Sequence, residues 1–229
     1  MFSYYGSKSK IVEHYPRPKF DKIIEPFAGS ARYACEYPEK KVILIDKYEV
    51  IVDIWNYLIK ATEQDIMNLP LIEKGQDLRM FEQLSKTERN FISFCIGRGS
   101  ASPRNTPGSF CNWDADRKRI SKLVPRIKHW ECKLGSYEDL ENEEATWFID
   151  PPYQFGGEYY RHNSKKLNFE ILAEWCKARL GQTIVCENSK ANWMNFKPMV
   201  KLNGQMYETT EVIWTNLPSV FDNVQTSLF

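Results

Sequence analysis

The stretch ATWFIDPPY, residues 145–153, decides the fold class of this chain. Ala145–Ile149 has the length and apolar character of a strand buried on both faces. The Asp-Pro-Pro sequence after it ends the strand, because proline has no backbone N–H for a sheet ladder. Similar runs occur at Lys22–Glu25, Lys41–Asp46 and 183–186. Continuous apolar strands of this kind are typical of a parallel sheet that is covered on both faces.

Segments with apolar residues at helical spacing separate these strands. We predict helices over residues 31–37, 50–61 and 169–180, a short strand over 130–134 and a late strand over 211–215. Strands that alternate with helices predict an α/β fold with a mostly parallel sheet and helices on both faces. Ligands bind such sheets beyond the carboxyl ends of the strands, where residues 25–30, Asp46 and 150–153 would lie.

Residues 62–116 interrupt the alternation. We predict helices over 76–84 and 87–96, and then a loop rich in Gly, Ser, Pro and Asn from residue 98 to 114. A loop of this length is usually either functional or disordered, and its Arg98, Arg104, Phe110 and Trp113 favour binding. The predicted organisation is one catalytic domain, residues 1–61 and 117–229, with residues 62–116 as a small insertion.

Composition limits the class of protein. The chain has 229 residues, 42% of them hydrophobic, and no apolar run of the roughly 18 residues that a membrane-spanning helix needs. Residues 1–10 lack the apolar stretch of a signal peptide, so we expect a cytoplasmic location. The six cysteines and three histidines are scattered, and neither a metal site nor a disulfide framework is expected from their spacing.

The charge is unevenly distributed along the chain. The net charge is +1, but residues 98–133 hold nine basic and three acidic residues, whereas residues 198–229 hold one basic and three acidic residues. A basic stripe of this kind is typical of a surface that follows phosphates. A solvated helix face gives the same pattern, and the sequence leaves both interpretations open.

The tetrapeptide Asp150-Pro151-Pro152-Tyr153 holds groups that can activate an exocyclic amine. The nitrogen of such an amine becomes more nucleophilic when both of its protons donate hydrogen bonds. Asp150 offers one acceptor, and the backbone fixed by Pro151 and Pro152 can present a carbonyl as the other. Tyr153 offers a ring on which a base taken out of a duplex can stack. A strand end followed by a rigid turn is the alternative.

The segment EPFAGS, residues 25–30, follows the first predicted strand and contains a glycine that lets the backbone approach a ligand. The chain has neither a GxGxxG fingerprint nor a phosphate loop, so a cofactor without phosphate fits better than NAD or ATP. Glu25 would suit a cationic cofactor, and Asp46 could accept both hydroxyls of a ribose. An ordinary strand–helix turn and a helix cap are the alternatives.

In their order along the chain these motifs resemble the Dam-type DNA adenine-N6 methyltransferases. The segment YYGSK, residues 4–8, looks like the family's aromatic-x-Gly-Gly-Lys, with Ser7 where a second glycine is usual. Residues 27–29 stand at its FxG motif, and residues 150–153 match its catalytic tetrapeptide. Gly135-Ser136-Tyr137 stands where Asp-Phe is frequent, and Ser136 replaces the acid. The family's long recognition insertion is largely missing here, as in compact phage- and prophage-type members.

The resemblance implies a Rossmann-like class I methyltransferase fold, S-adenosylmethionine as the cofactor, and double-stranded DNA as the partner. It implies Asp150, Pro151, Pro152 and Tyr153 as catalytic residues. The cofactor-binding residues would be Tyr4, Lys8, Glu25, Phe27, Ala28, Gly29, Ser30, Asp46, Ser136, Tyr137 and Asp150.

From the basic stripe we predict DNA contacts at Arg98, Arg104, Arg117, Lys118 and Arg119, and residues 62–116 become the predicted target-recognition region. Methylation of RNA or of cytosine N4, and a non-catalytic DNA-binding protein with this fold, remain alternatives. A restriction–modification pairing and protection of a phage genome are both compatible with the motifs, and a monomer would suffice for the chemistry.

Overall fold

The computed structural model describes residues 2–9, 11–109, 111–203 and 208–217. They form a seven-stranded sheet in the order β3-β2-β1-β4-β5-β7-β6. The strands are β1 Lys22–Glu25, β2 Lys41–Asp46, β3 Glu131–Leu134, β4 Ala145–Ile149, β5 Gly181–Asn188, β6 Lys197–Asn203 and β7 Glu208–Thr215.

The direction of the strands confirms the predicted fold class. Strands β1 to β5 pair in parallel, whereas β7 is antiparallel to both β5 and β6. The chain builds the sheet outward from β1 to β3 and then crosses back to place β4 on the other side of β1. This reversal opens a crevice at the carboxyl ends of β1 and β4, where α/β sheets bind ligands. The order is that of the Rossmann-like methyltransferase fold.

Side chains of the central strands alternate between two cores. Ile23 and Phe148 point into the core on one face of the sheet, and Ile24, Trp147 and Ile149 point into the core on the other face. Successive side chains of a strand lie on opposite faces, so a strand that is apolar throughout must be covered twice. The prediction of a doubly covered sheet is therefore confirmed.

The described residues form six helices, and four of them begin at a side chain that caps them. Ser85 and Thr62 form capping boxes with Glu88 and Asp65, and Asn112 and Asn168 cap two others. None of these helices in the described ranges is long and apolar enough to cross a bilayer. The helices are α1 Arg32–Cys35, α2 Glu49–Lys60, α3 Glu63–Asn68, α4 Lys86–Ile96, α5 Trp113–Leu123 and α6 Phe169–Lys177.

Residues 62–116 contribute to the main core. Ile66, Phe91, Phe94 and Trp113 belong to the same buried cluster as the residues of β1 and α2. Helix α5 runs from residue 113 to 123 and so crosses the predicted boundary between insertion and catalytic domain. The division of the chain into these two parts remains a prediction.

One predicted helix is wrong, and one strand was missed. Residues 76–84 form only a short 3-10 turn, Leu78–Met80, because the Asp77 side chain accepts from Arg79 N and the Leu78 amide donates to Asn105 O. Strand β6 was missed because Pro198 lies inside it. Proline is tolerated there because β6 is an edge strand with an irregular register at Pro198.

Candidate active site

The carboxyl ends of β1, β2 and β4 meet at one pocket. Glu25 ends β1, Asp46 ends β2 and Asp150 directly follows β4, and all three line this pocket. The other walls come from residues 4–8, from the turn 26–32 and from residues 160–167 after the Asp-Pro-Pro-Tyr motif. Parallel pairing brings these segments together, because it aligns the ends of neighbouring strands at one edge.

Most of the predicted cofactor residues line this pocket. Ser136, Pro151 and Tyr153 do not belong to its walls. The predicted residues that do are Tyr4, Lys8, Glu25, Phe27, Ala28, Gly29, Ser30, Asp46, Tyr137, Asp150 and Pro152.

The turn after β1 is tight and is held from two sides. Gly29 and Ala31 have positive φ angles of 44° and 41°, so the chain reverses sharply between β1 and α1. The Gly29 amide donates to Asp46 Oδ2 at 2.9 Å, and the Trp55 indole donates to the Gly29 carbonyl at 2.9 Å. This arrangement leaves the backbone of residues 28–30 facing the pocket, as a cradle for a ligand.

Both oxygens of Asp46 accept backbone hydrogen bonds. Oδ2 accepts from Gly29 N, and Oδ1 accepts from Tyr48 N at 2.8 Å. Burial raises the pKa of Asp46 to about 6, against the opposing effect of these hydrogen bonds. A carboxylate can accept about four hydrogen bonds, so Asp46 retains acceptor capacity for a hydroxyl of a ligand.

Glu25 is a buried carboxyl at the base of the pocket. It is 2% exposed, and its Oε1 accepts from the Ala34 amide at 2.7 Å. Burial raises the pKa of Glu25 well above its ordinary value. Glu25 therefore fixes the start of α1 in addition to lining the pocket.

Phe27 and Tyr137 form one aromatic wall. Their rings stack with centroids 5.5 Å apart and planes at 30°, and Tyr137 is held in place by Trp175 at 5.2 Å. Ser136 caps the following 3-10 turn, where its hydroxyl accepts from Glu138 N. The aromatic side chain predicted at this position thus lines the pocket, whereas Ser136 serves the local turn.

The N-terminal segment, residues 4–8, forms one wall of the pocket. Lys8 is 7% exposed, and its ammonium lies 2.8 Å from Asp150 Oδ1 and 4.4 Å from the centroid of the Tyr153 ring. Ser7 Oγ contacts Ser30 Oγ and Arg32 Nε, each at 3.1 Å. The serine in the YYGSK segment therefore ties this segment to the turn after β1.

Asp150 lies in a buried ionic environment. Burial raises the pKa of Asp150 to about 6, Lys8 opposes this rise, and Glu211 adds to it. At neutral pH the group is therefore mostly a carboxylate and can accept hydrogen bonds. A carboxylate acceptor next to a pocket at the switch point of the sheet suits the activation of an amine.

Two residues of the site were missed in the sequence. Glu211 on β7 is 5% exposed, and its Oε1 accepts from the hydroxyls of Tyr15, at 2.7 Å, and of Tyr153. Tyr160 lines the pocket, packs edge-on against Tyr5 and donates to the Tyr5 carbonyl at 3.0 Å. The paired tyrosines shortly after the Asp-Pro-Pro-Tyr motif were a signal for Tyr160.

The predicted DNA contacts differ in exposure and in their partners. Arg117 is only 12% exposed in its side chain and pairs with Asp114, while donating to the carbonyls of Met67 and Leu69 at 3.0 and 2.7 Å. It stabilises the fold between α3 and α5, and we leave it out of the proposed DNA contacts.

The other four predicted DNA contacts are more exposed, but most of them form ion pairs with aspartates. Lys118 lies 2.6 Å from Asp114, and Arg119 and Arg98 lie 2.7 and 3.3 Å from Asp116. Arg104 lies against Gly97 in the loop. Phe110, singled out in the same loop, lies outside the described residues. Within the part of the chain that the structure describes, no cluster of metal-ligating side chains occurs.

The N-terminal part of the chain is similar in sequence to a known family. The family model of the D12 class N6 adenine-specific DNA methyltransferases matches residues 4–93. These residues are similar to that family over less than half of the chain. The match includes the YYGSK segment, the turn after β1 and Asp46, so it confirms the resemblance predicted from the sequence and supports the predicted activity. The Asp-Pro-Pro-Tyr motif lies beyond the matched range. No curated protein sequence matches the chain.

Three solved structures have low sequence identity and low structural similarity to this chain. A conserved hypothetical protein from Streptococcus pyogenes has 10% identity and a TM-score of 0.36, with 84% of each chain covered. A protein described as a methylase from Haemophilus influenzae has 11% identity and a TM-score of 0.37, covering 86% of this chain and 87% of its own. A protein described as a methyltransferase from Escherichia coli has 8% identity and a TM-score of 0.35, covering 90% and 78%.

Proposed function

We propose that this DNA methyltransferase takes its methyl group from S-adenosylmethionine and transfers it to adenine N6 with Asp150 as the central catalytic residue. The observation that carries the proposal is the position of Asp150. Its carboxylate follows β4 at the switch point of the sheet, lines the pocket and lies 2.8 Å from Lys8. A carboxylate in this position can accept a hydrogen bond from the amino group of a base.

The walls of the pocket fit S-adenosylmethionine by their chemistry. The stacked rings of Phe27 and Tyr137 offer an apolar surface to the adenine of the cofactor. Asp46 retains acceptor capacity for a ribose hydroxyl. The positive φ of Gly29 lets the backbone approach closely, and a Cβ there would lie 3.2 Å from the Tyr4 ring. The turn carries no phosphate loop, which agrees with a nucleoside cofactor that has no phosphate.

Asp150 and the Pro151 carbonyl would hold the amino group of the target adenine by accepting its two protons. S-adenosylmethionine, when bound, would supply an electrophilic methyl group for transfer to this nitrogen. Asp150, with a pKa near 6, can take the proton that the alkylated nitrogen releases. The rate gain comes from orientation and electrostatic placement.

Tyr153 would support the extruded base with its ring. Its hydroxyl is held by Glu211, and one face of the ring is covered by the Lys8 ammonium. The ring is therefore fixed in orientation before a base arrives. The DNA contacts predicted from the sequence at Arg98, Arg104, Lys118 and Arg119 remain a prediction, and all of these residues except Arg104 pair with aspartates.

The experiment that tests the proposal uses S-adenosylmethionine with a labelled methyl group, unmethylated duplex DNA and RNA as separate substrates, and digestion to nucleosides. We expect label in N6-methyl-deoxyadenosine. Label in N4-methyl-deoxycytidine or in RNA would retain the chemistry and overturn the proposed substrate. Absence of label from every nucleoside, with cofactor bound, would overturn the catalytic proposal and favour a non-catalytic DNA-binding protein.

A further inference from the structure

Glu211 contacts three side chains near Asp150, namely Tyr15, Tyr153 and Lys8. In the described part of the chain, Glu211 has no direct hydrogen bond with Asp150. Its Oε1 accepts from the Tyr15 hydroxyl at 2.7 Å and from the Tyr153 hydroxyl. The same oxygen lies 3.6 Å from the Lys8 ammonium. Lys8 is thus placed between two carboxylates, at 2.8 Å from Asp150 and 3.6 Å from Glu211.

A buried carboxylate is costly unless hydrogen bonds and an opposite charge compensate for its desolvation. The Glu211 side chain is 6% exposed and receives this compensation from two phenols and one ammonium. These partners come from the N-terminal part of the chain and from the motif after β4, whereas Glu211 itself comes from β7.

We propose that Glu211 is a positioning residue for methyl transfer, which holds the Tyr153 ring and the Lys8 ammonium in fixed places beside Asp150. The proposal rests on the catalytic role of Asp150. A residue that acts in this way affects the rate of transfer through the orientation of Tyr153 and through the charge balance around Asp150. Glu211 itself does not line the cofactor pocket.

The test compares Glu211→Gln with Tyr15→Phe. The glutamine keeps the shape of the side chain but removes the charge that attracts Lys8. Tyr15→Phe removes one hydrogen bond from the same oxygen and leaves Lys8 and Tyr153 in place, so it serves as the matched structural control. We expect Glu211→Gln to lower kcat by about tenfold to 10²-fold, the scale of a misplacement of about 1 Å, with the cofactor Kd unchanged.

The pH profile separates positioning from a merely structural role. Glu211 raises the pKa of Asp150, so its neutralisation should move the midpoint of the kcat–pH profile downward from about 6. Tyr15→Phe should leave this midpoint in place. Tyr153→Phe should lower kcat, and its effect should not add fully to that of Glu211→Gln, because the first change removes and the second weakens the same hydrogen bond between Tyr153 and residue 211.

An unchanged midpoint with fully additive effects would overturn the role of Glu211. If Glu211→Gln does not fold, Tyr153→Phe alone decides, and unchanged transfer in that variant would contradict the proposal. Wild-type enzyme in the same assay distinguishes failure of the proposed function from failure of the positioning role. No transfer by wild type rejects the proposed function, whereas normal transfer by Glu211→Gln rejects only the positioning.

A second inference concerns the surface that meets nucleic acid, and it rests on the distribution of ion pairs. Arg161, Lys165 and Lys166, here called the cationic rim, are exposed at the mouth of the pocket, and Lys166 is part of its wall. None of the three has an ion pair with another described residue. Burial and the charges of Lys166, Lys47 and Arg161 lower the pKa of His162, which lies between Arg161 and Lys166 in the chain.

Helix α5 differs in this respect, because Lys118 and Arg119 are each paired with an aspartate of the same helix. An acid beside a cation cancels much of its attraction for phosphate. The segment of the cationic rim also exposes aromatic rings, with Tyr159 67% and Phe155 49% accessible. Cations together with exposed rings are the combination that binds a nucleic-acid strand through phosphates and base stacking.

We infer that the segment 155–166 is the principal nucleic-acid contact, with the cationic rim on phosphates next to the extruded adenine. Glu158 and Glu170 are acidic neighbours of this surface, and they leave it with a net positive charge. The inference deepens the proposed function, because it places the contact on the same segment that forms the wall of the active site.

The test compares two double variants of equal charge change, Arg161→Gln/Lys165→Gln on the rim and Lys118→Gln/Arg119→Gln on α5. Lys166 is left unchanged because it lines the cofactor pocket. The slope of log K against log salt for binding of a duplex oligonucleotide falls by about 0.9 for each lost phosphate contact. We expect a decrease approaching two for the rim variant and a much smaller decrease for the α5 variant.

The reverse order of the two decreases would overturn the inference, and equal decreases would also contradict it. Methyl transfer at saturating DNA distinguishes this failure from failure of the proposed function. The rim variant should retain kcat at saturating DNA with a raised KM, whereas absence of transfer by the wild type would reject the function itself.

Discussion

The ammonium of Lys8 lies 2.8 Å from the carboxylate of Asp150, so the first motif of the chain neutralises the proposed catalytic residue of the last. Burial raises the pKa of Asp150, and Lys8 opposes that rise. The balance leaves the pKa at about 6, and the group is ionised at neutral pH. The YYGSK segment therefore has an electrostatic role as well as a role in shaping the pocket.

Lys8→Met should shift the pH dependence of methyl transfer upward. The carboxylate form of Asp150 is the proposed acceptor for the amino group, so kcat should rise with pH through its pKa. Removal of the opposing cation leaves burial and Glu211 to raise this pKa, and the midpoint should move above about 6. We expect kcat at pH 7 to fall by about twofold if the pKa reaches about 7, and by about tenfold for each unit beyond that. The measurement is kcat at saturating cofactor and DNA between pH 5 and pH 9, and an unchanged midpoint would contradict the role of Lys8.

Gly6→Ala should weaken cofactor binding, whereas Gly99→Ala should not. Both glycines have a φ of +73°, but a Cβ at Gly6 would collide with the Tyr160 hydroxyl and a Cβ at Gly99 has no neighbour within 4 Å. Both variants should lose about 1–2 kcal/mol of stability from the left-handed backbone. Only Gly6→Ala displaces Tyr160 from the pocket wall. Calorimetric titration with S-adenosylmethionine and thermal unfolding measure the two effects, and equal cofactor Kd values would contradict the account.

Cofactor binding should weaken as the pH falls below about 6, the pKa of Asp46. Its carboxylate is the proposed acceptor for the ribose hydroxyls, and protonation removes acceptor capacity. The expected loss approaches tenfold in Kd for each pH unit below the pKa. Asp46→Asn should bind weakly with a flat profile over the same range. Asp150→Asn serves as the control, since it should keep the wild-type dependence if Asp46 is the titrating group.

Arg117→Met should destabilise the fold, whereas Lys118→Met should have little effect. Arg117 donates to two carbonyls near the end of α3 and is 12% exposed. Loss of these charged hydrogen bonds should cost about 2–3 kcal/mol. Lys118 is 60% exposed and pairs with Asp114 at the surface, a pair worth about 0–1 kcal/mol. Urea unfolding measures both, and a stable Arg117→Met variant would contradict the structural role.

The sequence was sufficient to predict the strands that build the site. The bounds of β4 agree with the prediction because prolines end a strand at a definite residue, and the acids at the ends of β1 and β2 lie where the prediction places them. Parallel pairing then dictates that these ends meet. Local signals of this kind depend on neighbours along the chain, and they are readable without tertiary structure.

The remaining parts depend on contacts between distant segments. Glu211 is an ordinary acid at the start of a predicted strand, and its partners Tyr15, Tyr153 and Lys8 are close only in the folded chain. The neutralisation of α5 was readable in part, since Asp114 and Lys118 stand four residues apart and Asp116 and Arg119 three. The burial of Arg117 was not, because its acceptors are backbone carbonyls of α3 and the residue after it.

The most direct test of the account measures Asp150→Asn in two assays on the same preparation, cofactor affinity by calorimetry and single-turnover methyl transfer to unmethylated duplex DNA. Asparagine keeps the shape of the side chain but loses the charge. We predict a Kd for S-adenosylmethionine close to that of wild type, with the transfer rate reduced by about 10²- to 10³-fold. Transfer at the wild-type rate, or loss of cofactor binding in step with transfer, would contradict the assignment of Asp150 as the catalytic residue.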